Sequence, residues 1–132
     1  MKKIEVIELD EPVLCFTSFG KIYVGAEFLA LPKVEQGGLM MHEQGHIRYH
    51  HQIKRLLAVL MIPFRGADWF YGFCQRQELE ADRYSVEHGG GFGMLAFFMH
   101  DKPPLPDPYY PSYEERVVHI AKCMMESSTW EE

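Results

Sequence analysis

Two histidines and a glutamate form the group of residues with the clearest chemical use in this chain. The stretch MMHEQGHI places His42 and His46 four residues apart, with Glu43 directly after the first histidine. Residues four apart lie on one face of a helix, so both imidazoles can offer a ring nitrogen to one metal ion. Glu43 lies about 100° around the helix from His42, near the metal without being required as a ligand. The pattern predicts a zinc site with a carboxylate available for proton transfer.

A second stretch, QELEAD at residues 77–82, offers carboxylates for a third ligand. Glu78 and Asp82 are four residues apart and can share one helix face, whereas Glu80 points elsewhere. Three protein ligands leave the fourth zinc position to a water molecule, whose pKa the metal lowers towards neutrality. Such an open position is typical of catalytic zinc sites, because structural sites usually have four protein ligands.

Composition predicts one globular domain spanning residues 1–132. The chain is 47% hydrophobic, 14% aromatic and 24% charged, which is ordinary for a folded protein of this length. Its formal net charge of −6 and the lack of a Lys/Arg cluster exclude a nucleic-acid backbone as the expected partner.

Location is inferred from the apolar segments and the cysteines. The start, MKKIEVIELDEP, places acidic residues where a signal peptide needs an apolar region. The longest apolar run, Leu56–Ile62, is far short of the roughly 20 residues that cross a bilayer, and we expect it to be the buried end of a helix. Three cysteines without a CxxC pair predict buried free thiols and a cytoplasmic setting. We therefore expect no membrane span.

The first third of the chain predicts a small β-element. Residues 4–9 and 12–18 are rich in Val, Ile, Leu and Phe, and the second run is followed by KIYVGAEFL. A turn near Gly20 predicts an antiparallel hairpin.

Two long helices are predicted to carry the candidate ligands. Gly37-Gly38 is expected to break the chain, and the first helix should then extend from Leu39 to about Ile62, just before a proline. The second helix should extend from about Phe73 to His88, where three glycines follow.

The last third combines a proline-rich connection with a helix. Residues 102–108, KPPLPDP, are expected to be extended on the surface. Helical character returns from Tyr113 to Met125, with Ser112 as the predicted cap. Together with the hairpin, these elements predict an α+β fold.

Several of these segments resemble one protease family. HEQGH, the downstream ELEADRYS and the linker of about thirty residues between them resemble the gluzincin metallopeptidases of the CAAX prenyl protease and heat-shock membrane protease group. The segment YPSYEERV at residues 110–117 is similar to the family's late His-Pro-x-x-Glu-x-Arg segment, and CFTSFGKIYVGAEFL resembles the strand-turn-strand before its catalytic helix. The resemblance covers roughly residues 12–121. Most members of the family are membrane proteins, whereas no spanning helix is expected in this chain. In size it is more similar to the small soluble relatives called minigluzincins.

The resemblance implies a zincin-like fold and a role for each matching residue. His42, His46 and Glu78 would bind one zinc ion per chain, and Glu43 would act as general base and acid. Asp82 would accept a hydrogen bond from a zinc histidine and so fix its tautomer and ring direction.

One departure concerns the group that stabilises the oxyanion. This chain has Tyr110 where the family often has histidine before the late proline. A tyrosine hydroxyl can donate the required hydrogen bond, so Tyr110 and its neighbour Tyr109 are candidates, and Arg116 is a further one.

The expected function is that of a zinc-dependent endopeptidase acting on a peptide or protein substrate. By analogy, the substrate should lie extended along an exposed edge of the strand at residues 21–25. Two alternatives stay open: a latent protease covered by the proline-rich tail, and a non-catalytic binding module whose helices are joined by zinc. The sequence does not predict the oligomeric state. The remaining histidines are expected to be polar surface or packing residues: His50, His51, His88, His100 and His119.

Overall fold

The computed structural model of the chain describes residues 3–128. Three short strands form one sheet: β1 (Val6–Glu8), β2 (Cys15–Ser18) and β3 (Lys21–Val24). β2 and β3 form the predicted antiparallel hairpin, and Phe19 and Gly20 turn between them with φ values of 49° and 77°. β1 pairs with β3 in parallel, so the sheet is mixed rather than wholly antiparallel as predicted.

The strand order is β1-β3-β2, which places β3 in the centre of the sheet. Both edges of β3 are therefore occupied, and the prediction that a substrate lies along an exposed edge of residues 21–25 is wrong. The physical reason is that the apolar run at residues 4–9 pairs with the edge of β3 that the hairpin leaves free. Within residues 3–128, β2 has no strand on its outer side.

Seven helices complete the described part of the chain, which confirms the α+β fold. They are α1 (Ala26–Leu29), α2 (Lys33–Arg48), α3 (His51–Val59), α4 (Ile62–Arg65), α5 (Ala67–Glu87), α6 (Gly91–His100) and α7 (Tyr113–Ser128). The predicted last helix is present, and the Ser112 hydroxyl accepts a hydrogen bond from the Glu115 N–H at 3.1 Å. Ser112 thus caps α7, as predicted.

The long helix predicted from Leu39 to Ile62 is divided and begins earlier. α2 starts at Lys33 and passes through Gly37 and Gly38, and it ends before His50, whose φ of 55° is left-handed. Gly38 serves close packing: a Cβ there would lie 2.7 Å from the Met94 nitrogen of α6. The glycines therefore do not break the chain, because α6 requires the space beside one of them.

The second predicted helix is longer than expected, and a further helix follows it. α5 begins six residues before Phe73, at Ala67, and ends at Glu87. α6 was not predicted, because its glycine-rich start resembles a loop. In the fold, a Cβ at Gly93 would lie 2.0 Å from the Val34 carbonyl oxygen of α2, so these glycines allow two helices to touch.

The main core lies between the sheet, α2, α6 and α7. Its most buried members include Ile22, Met94 and Ile120. A smaller cluster, formed by Ala58, Phe70 and Cys74, lies between α3 and α5.

The run Leu56–Ile62 is largely exposed rather than buried, contrary to the prediction. The small cluster takes only Ala58 from α3, because most of the apolar side chains of that helix point away from α5. None of the helices in residues 3–128 has the length and apolar character needed to cross a membrane.

Candidate metal centre

The two helices that carry the candidate ligands pack closely against each other. Gly45 of α2 faces α5, where a Cβ would lie 3.0 Å from the Cβ of Tyr84 and 3.1 Å from the Cα of Ala81. This close approach brings Glu78 of α5 against His42 and His46 of α2. The glycine in HEQGH therefore helps to set the distance across the candidate site.

Three ligand atoms meet at one point between these helices. His42 Nε2 lies 3.0 Å from His46 Nε2 and 3.2 Å from Glu78 Oε1, and His46 Nε2 lies 3.3 Å from the same oxygen. Within residues 3–128, His42, His46 and Glu78 are the group of side chains that could hold a metal ion. The structure thus brings together all three predicted ligands. We call these three atoms, one from each ligand, the ligand triangle.

Asp82 orients the first histidine. His42 is buried, and its Nδ1 lies 2.7 Å from Asp82 Oδ1, so Nδ1–H donates to the carboxylate and Nε2 faces the ligand triangle. Burial lowers the pKa of His42, but the carboxylates of Asp82 and Glu78 outweigh it and raise this pKa to about 10. The surroundings of His42 therefore favour positive charge at the triangle.

Arg116 in turn holds Asp82. The guanidinium donates from Nε to Asp82 Oδ2 at 2.9 Å and from an Nη to Oδ1 at 2.7 Å. Burial opposes the ionised form of Asp82, yet Arg116 and His42 lower its pKa below the usual range. Arg116 is thereby paired with the carboxylate, and it also lines the cleft beside the candidate ligands, so its role at the oxyanion stays a prediction.

His51 orients the second histidine, a role that the sequence did not predict. Its Nδ1 lies 2.8 Å from His46 Nδ1, and burial, followed by His46 and Arg55, lowers the pKa of His51 to about 3. Its Nε2 is buried without a hydrogen-bond partner, 3.7 Å from Glu80 Oε1. With its proton on Nε2, neutral His51 accepts from His46 Nδ1–H. His46 Nε2 then presents a lone pair to the triangle.

Arg55 holds the third candidate ligand. Its Nη2 donates to Glu78 Oε2 at 2.7 Å, and its Nε donates to the side chain of Gln77. Because Arg55 occupies Oε2, the other oxygen of Glu78 faces the two histidines. Burial raises the pKa of Glu78, but the neighbouring imidazoles of His42 and His46 outweigh it and hold this pKa well below the usual range.

Glu43 lies beside the triangle and is held by β2. Thr17 Oγ1–H donates to Glu43 Oε2 at 2.6 Å, and the Cys15 thiol contacts Oε1 at 3.8 Å. Burial and the nearby Glu43 carboxylate raise the pKa of the Cys15 thiol, so it stays protonated. The strand therefore fixes Glu43 through one carboxylate oxygen and leaves the other with a weak partner.

A cleft of about 500 Å³ opens above these residues. It is lined by the three candidate ligands and Glu43 together with β2, α3 and aromatic side chains that include Phe97, Phe98 and Tyr110. Tyr110 is half exposed at its edge, and burial and the charge of Glu78 raise the pKa of its hydroxyl. Tyr109 instead packs its ring against Phe70 and Tyr71.

The proline-rich segment lies beside this cleft rather than across it. Gln75 of α5 donates a hydrogen bond from Nε2 to the Pro108 carbonyl at 2.8 Å. Among the residues that the structure describes, the lining of the cleft includes none of residues 102–108. The segment thus borders the cleft next to Tyr110 and is absent from the lining around the candidate ligands.

Thr17, His51 and Arg55 were not predicted as site residues. Each depends on a feature without a strong local signal: the contact of β2 with α2 for Thr17, and the left-handed turn at His50 for the other two. The consecutive histidines at 50 and 51 were the available hint, because a turn after the first places the second beside His46.

Comparisons with known proteins give no match: neither a family model, nor a curated protein, nor a solved structure matches this chain. The geometry of the site is therefore the basis for the function proposed next.

Proposed function

We propose that this chain is a zinc-dependent endopeptidase of the gluzincin kind, with a zincin-like arrangement of α2 and α5. The observation that carries the proposal is the triangle of His42 Nε2, His46 Nε2 and Glu78 Oε1, with the Glu43 carboxylate beside it in an open cleft. Two imidazoles and one carboxylate form the ligand set of known catalytic zinc sites.

The residues fit a zinc ion in both chemistry and spacing. Ligands about 2.0–2.1 Å from a tetrahedral zinc lie about 3.3–3.4 Å from one another. The three distances in the triangle are 3.0, 3.2 and 3.3 Å. The outer nitrogen of each histidine has its own partner, Asp82 or His51, and Glu78 Oε2 has Arg55. Such outer partners are typical of metal sites.

Zinc bound by His42, His46 and Glu78 would lower the pKa of a water molecule and polarise a peptide carbonyl. Glu43 takes a proton from the attacking water and returns it to the leaving amine nitrogen. Thr17 supports this role, because its hydrogen bond to Oε2 fixes the carboxylate and leaves Oε1 as the oxygen that exchanges the proton. The hydroxyl of Tyr110, at the edge of the cleft, is the proposed donor to the oxyanion.

The free edge of β2 is the proposed binding position for an extended peptide substrate. The Gly25 N–H donates to the Leu14 carbonyl at 2.9 Å, and the pairs of an antiparallel ladder alternate along the strands. This alternation directs the backbone groups of Cys15 and Thr17 away from β3, towards the free edge. Since Thr17 also contacts Glu43, a strand added here would pass directly over the reacting groups.

The non-catalytic binding module is less well supported than the enzyme. Within residues 3–128, no fourth histidine, cysteine or carboxylate joins the triangle to close it.

The three cysteines are free, and two of them are buried. Free thiols also support the proposed cytoplasmic location.

The test is elemental analysis of the purified protein combined with a casein cleavage assay. We expect one zinc per chain, lost in His46→Ala and Glu78→Ala, and cleavage that a chelator stops. Glu43→Gln should keep the zinc and the fold but lower the cleavage rate by about 10²–10⁴-fold. Glu87→Gln, on the exposed side of α5, is the control and should keep both zinc and activity.

The outcomes separate the alternatives. Zinc without cleavage in the wild type would favour the latent or non-catalytic protein. Cleavage retained by Glu43→Gln would exclude the proposed proton transfer, and a lack of zinc in all samples would exclude the site.

A further inference from the structure

The α3 helix presents an apolar stripe to solvent. Ile53, Leu56, Leu57 and Leu60 follow the i, i+3, i+4, i+7 spacing of one helix face, and their exposed fractions are 59%, 61%, 61% and 69%. Phe64 of α4 is 83% exposed just beyond them. In most surface helices a stripe with this spacing faces the core.

The opposite face of the same helix makes the contacts with α5. His51 and Ala58 are buried there, and Arg55 reaches Gln77 and Glu78. The orientation of α3 is therefore fixed by contacts with the candidate metal centre. This orientation leaves no freedom to turn the apolar stripe inward.

The tip of the hairpin extends the apolar surface. The Phe19 N–H donates to Gln52 Oε1 at the start of α3, and the Phe19 side chain is 84% exposed. Phe19 thus lies beside the first turn of α3, and Phe64 follows the α3 stripe four residues after Leu60. We call Phe19, the α3 stripe and Phe64 the apolar face.

The segment that contains α3 and α4 differs in charge from the rest of the chain, although its Arg55 is paired with Glu78. Residues 44–67 contain four basic residues and no Asp or Glu, whereas the remainder holds nine basic and all 19 acidic residues. Lys54 is exposed on α3, and Arg65 lies with its guanidinium 5.3 Å from the ring centre of Trp69. Leu, Phe and Trp beside Lys and Arg are typical of helices that lie in the membrane interface.

We propose that the apolar face binds the surface of an anionic lipid bilayer, with α3 and α4 lying in the interface plane. The exposed Leu, Ile and Phe side chains would enter the boundary of the acyl chains, while Lys54 and Arg65 pair with anionic headgroups. A second copy of the chain fits less well, because two apolar faces in contact would bring two basic segments together. The proposal does not depend on zinc or on proteolysis.

The test is co-sedimentation of the full chain with vesicles. One set contains phosphatidylcholine mixed with phosphatidylglycerol, and the other contains phosphatidylcholine alone. We expect binding to the anionic set that weakens as salt is added. Leu57→Ser/Leu60→Ser should weaken binding by about a hundredfold or more, and Lys54→Glu by about tenfold or more.

Matched controls distinguish binding by the apolar face from non-specific binding of vesicles to other exposed residues. Phe92→Ser/Met99→Ser removes two side chains of α6 that are 75% and 79% exposed, and Lys122→Glu reverses an exposed charge on α7. Both controls should bind vesicles as the wild type does, and a melting curve checks that every variant is folded.

Three results would overturn the proposal. They are a folded wild type that does not bind anionic vesicles, equal loss of binding in the controls, and a dimer in sedimentation that Leu57→Ser/Leu60→Ser dissociates while vesicle binding is absent.

Discussion

At the scale of single residues, each group at the candidate centre has a partner on its far side. Asp82 holds His42, His51 holds His46 and Arg55 holds Glu78. These pairs satisfy polar groups that would otherwise be costly to bury, and they direct one donor atom each to a common point.

The sequence predicted some of these site residues and not others. Helical spacing identified His42, His46, Glu78 and Asp82, because a four-residue period places side chains on one face. His51 could not be identified in that way, since it reaches His46 through a left-handed turn rather than through helical spacing. Partners that depend on a turn have no periodic signal.

Replacement of His51 is expected to weaken metal binding. His51→Phe keeps a ring in the buried position but removes the nitrogen that accepts from His46 Nδ1, so His46 loses its orientation. We expect the Kd for zinc to rise by about 10–100-fold, measured by competition with a coloured chelator. His88→Phe, at an exposed position on the far end of α5, should leave the Kd unchanged. An unchanged Kd in His51→Phe would show that the contact does not orient the ligand.

At the scale of elements, the boundaries depend on which face of a helix is buried. The hairpin and α7 were predicted because a turn and a cap mark them locally. The start of α2 and the presence of α6 were not predicted. Glycines usually end helices, but here they let α2 and α6 touch. Their role is visible only once α6 lies against α2.

A pair of neighbouring glycines tests this interpretation. Gly38→Ala places a methyl group 2.7–2.8 Å from backbone atoms of Met94 and Gly90, whereas nothing lies within 4 Å of a Cβ at Gly37. We expect Gly38→Ala to lower the free energy of unfolding by about 1–3 kcal/mol. Gly37→Ala should raise it by about 0.5–1 kcal/mol, because alanine favours the helix. Urea denaturation measures both, and equal effects would contradict a specific contact between α2 and α6.

The same pair of helices is also joined by a histidine and a carboxylate. His100 at the end of α6 contacts Glu35 near the start of α2, and this hydrogen bond raises the pKa of His100. A raised folded-state pKa contributes stability that is complete below about pH 6.5 and is lost as the pH rises through the folded-state value. The melting temperature of His100→Gln should therefore lie below that of the wild type at pH 5.5 and approach it at pH 9. His88→Gln is the control, and a difference that grows with pH would contradict the sign.

At the scale of the whole molecule, the candidate centre connects the two apolar clusters. α5 contributes Phe70 and Cys74 to the small cluster and Val86 to the main core, and α2 contributes Leu39 to the main core. A metal ion bound between α2 and α5 would therefore stabilise the native arrangement of both clusters at once.

Removal of the proposed zinc ion is expected to lower stability without unfolding the chain. Asp82 and Glu78 keep Arg116 and Arg55 as partners when no ion is bound, so no carboxylate is left buried and unpaired. We expect the stabilisation to grow with free zinc as binding linkage requires, reaching about 2.7 kcal/mol at about a hundredfold excess over the Kd. Calorimetric melting at several zinc concentrations measures this stabilisation. The melting temperature of His46→Ala should not change with zinc concentration. A wild-type melting temperature that does not change with zinc concentration would exclude a metal ion from this position. Complete unfolding on chelation would show that the pairs with Arg116 and Arg55 are not enough to keep the metal-free chain folded.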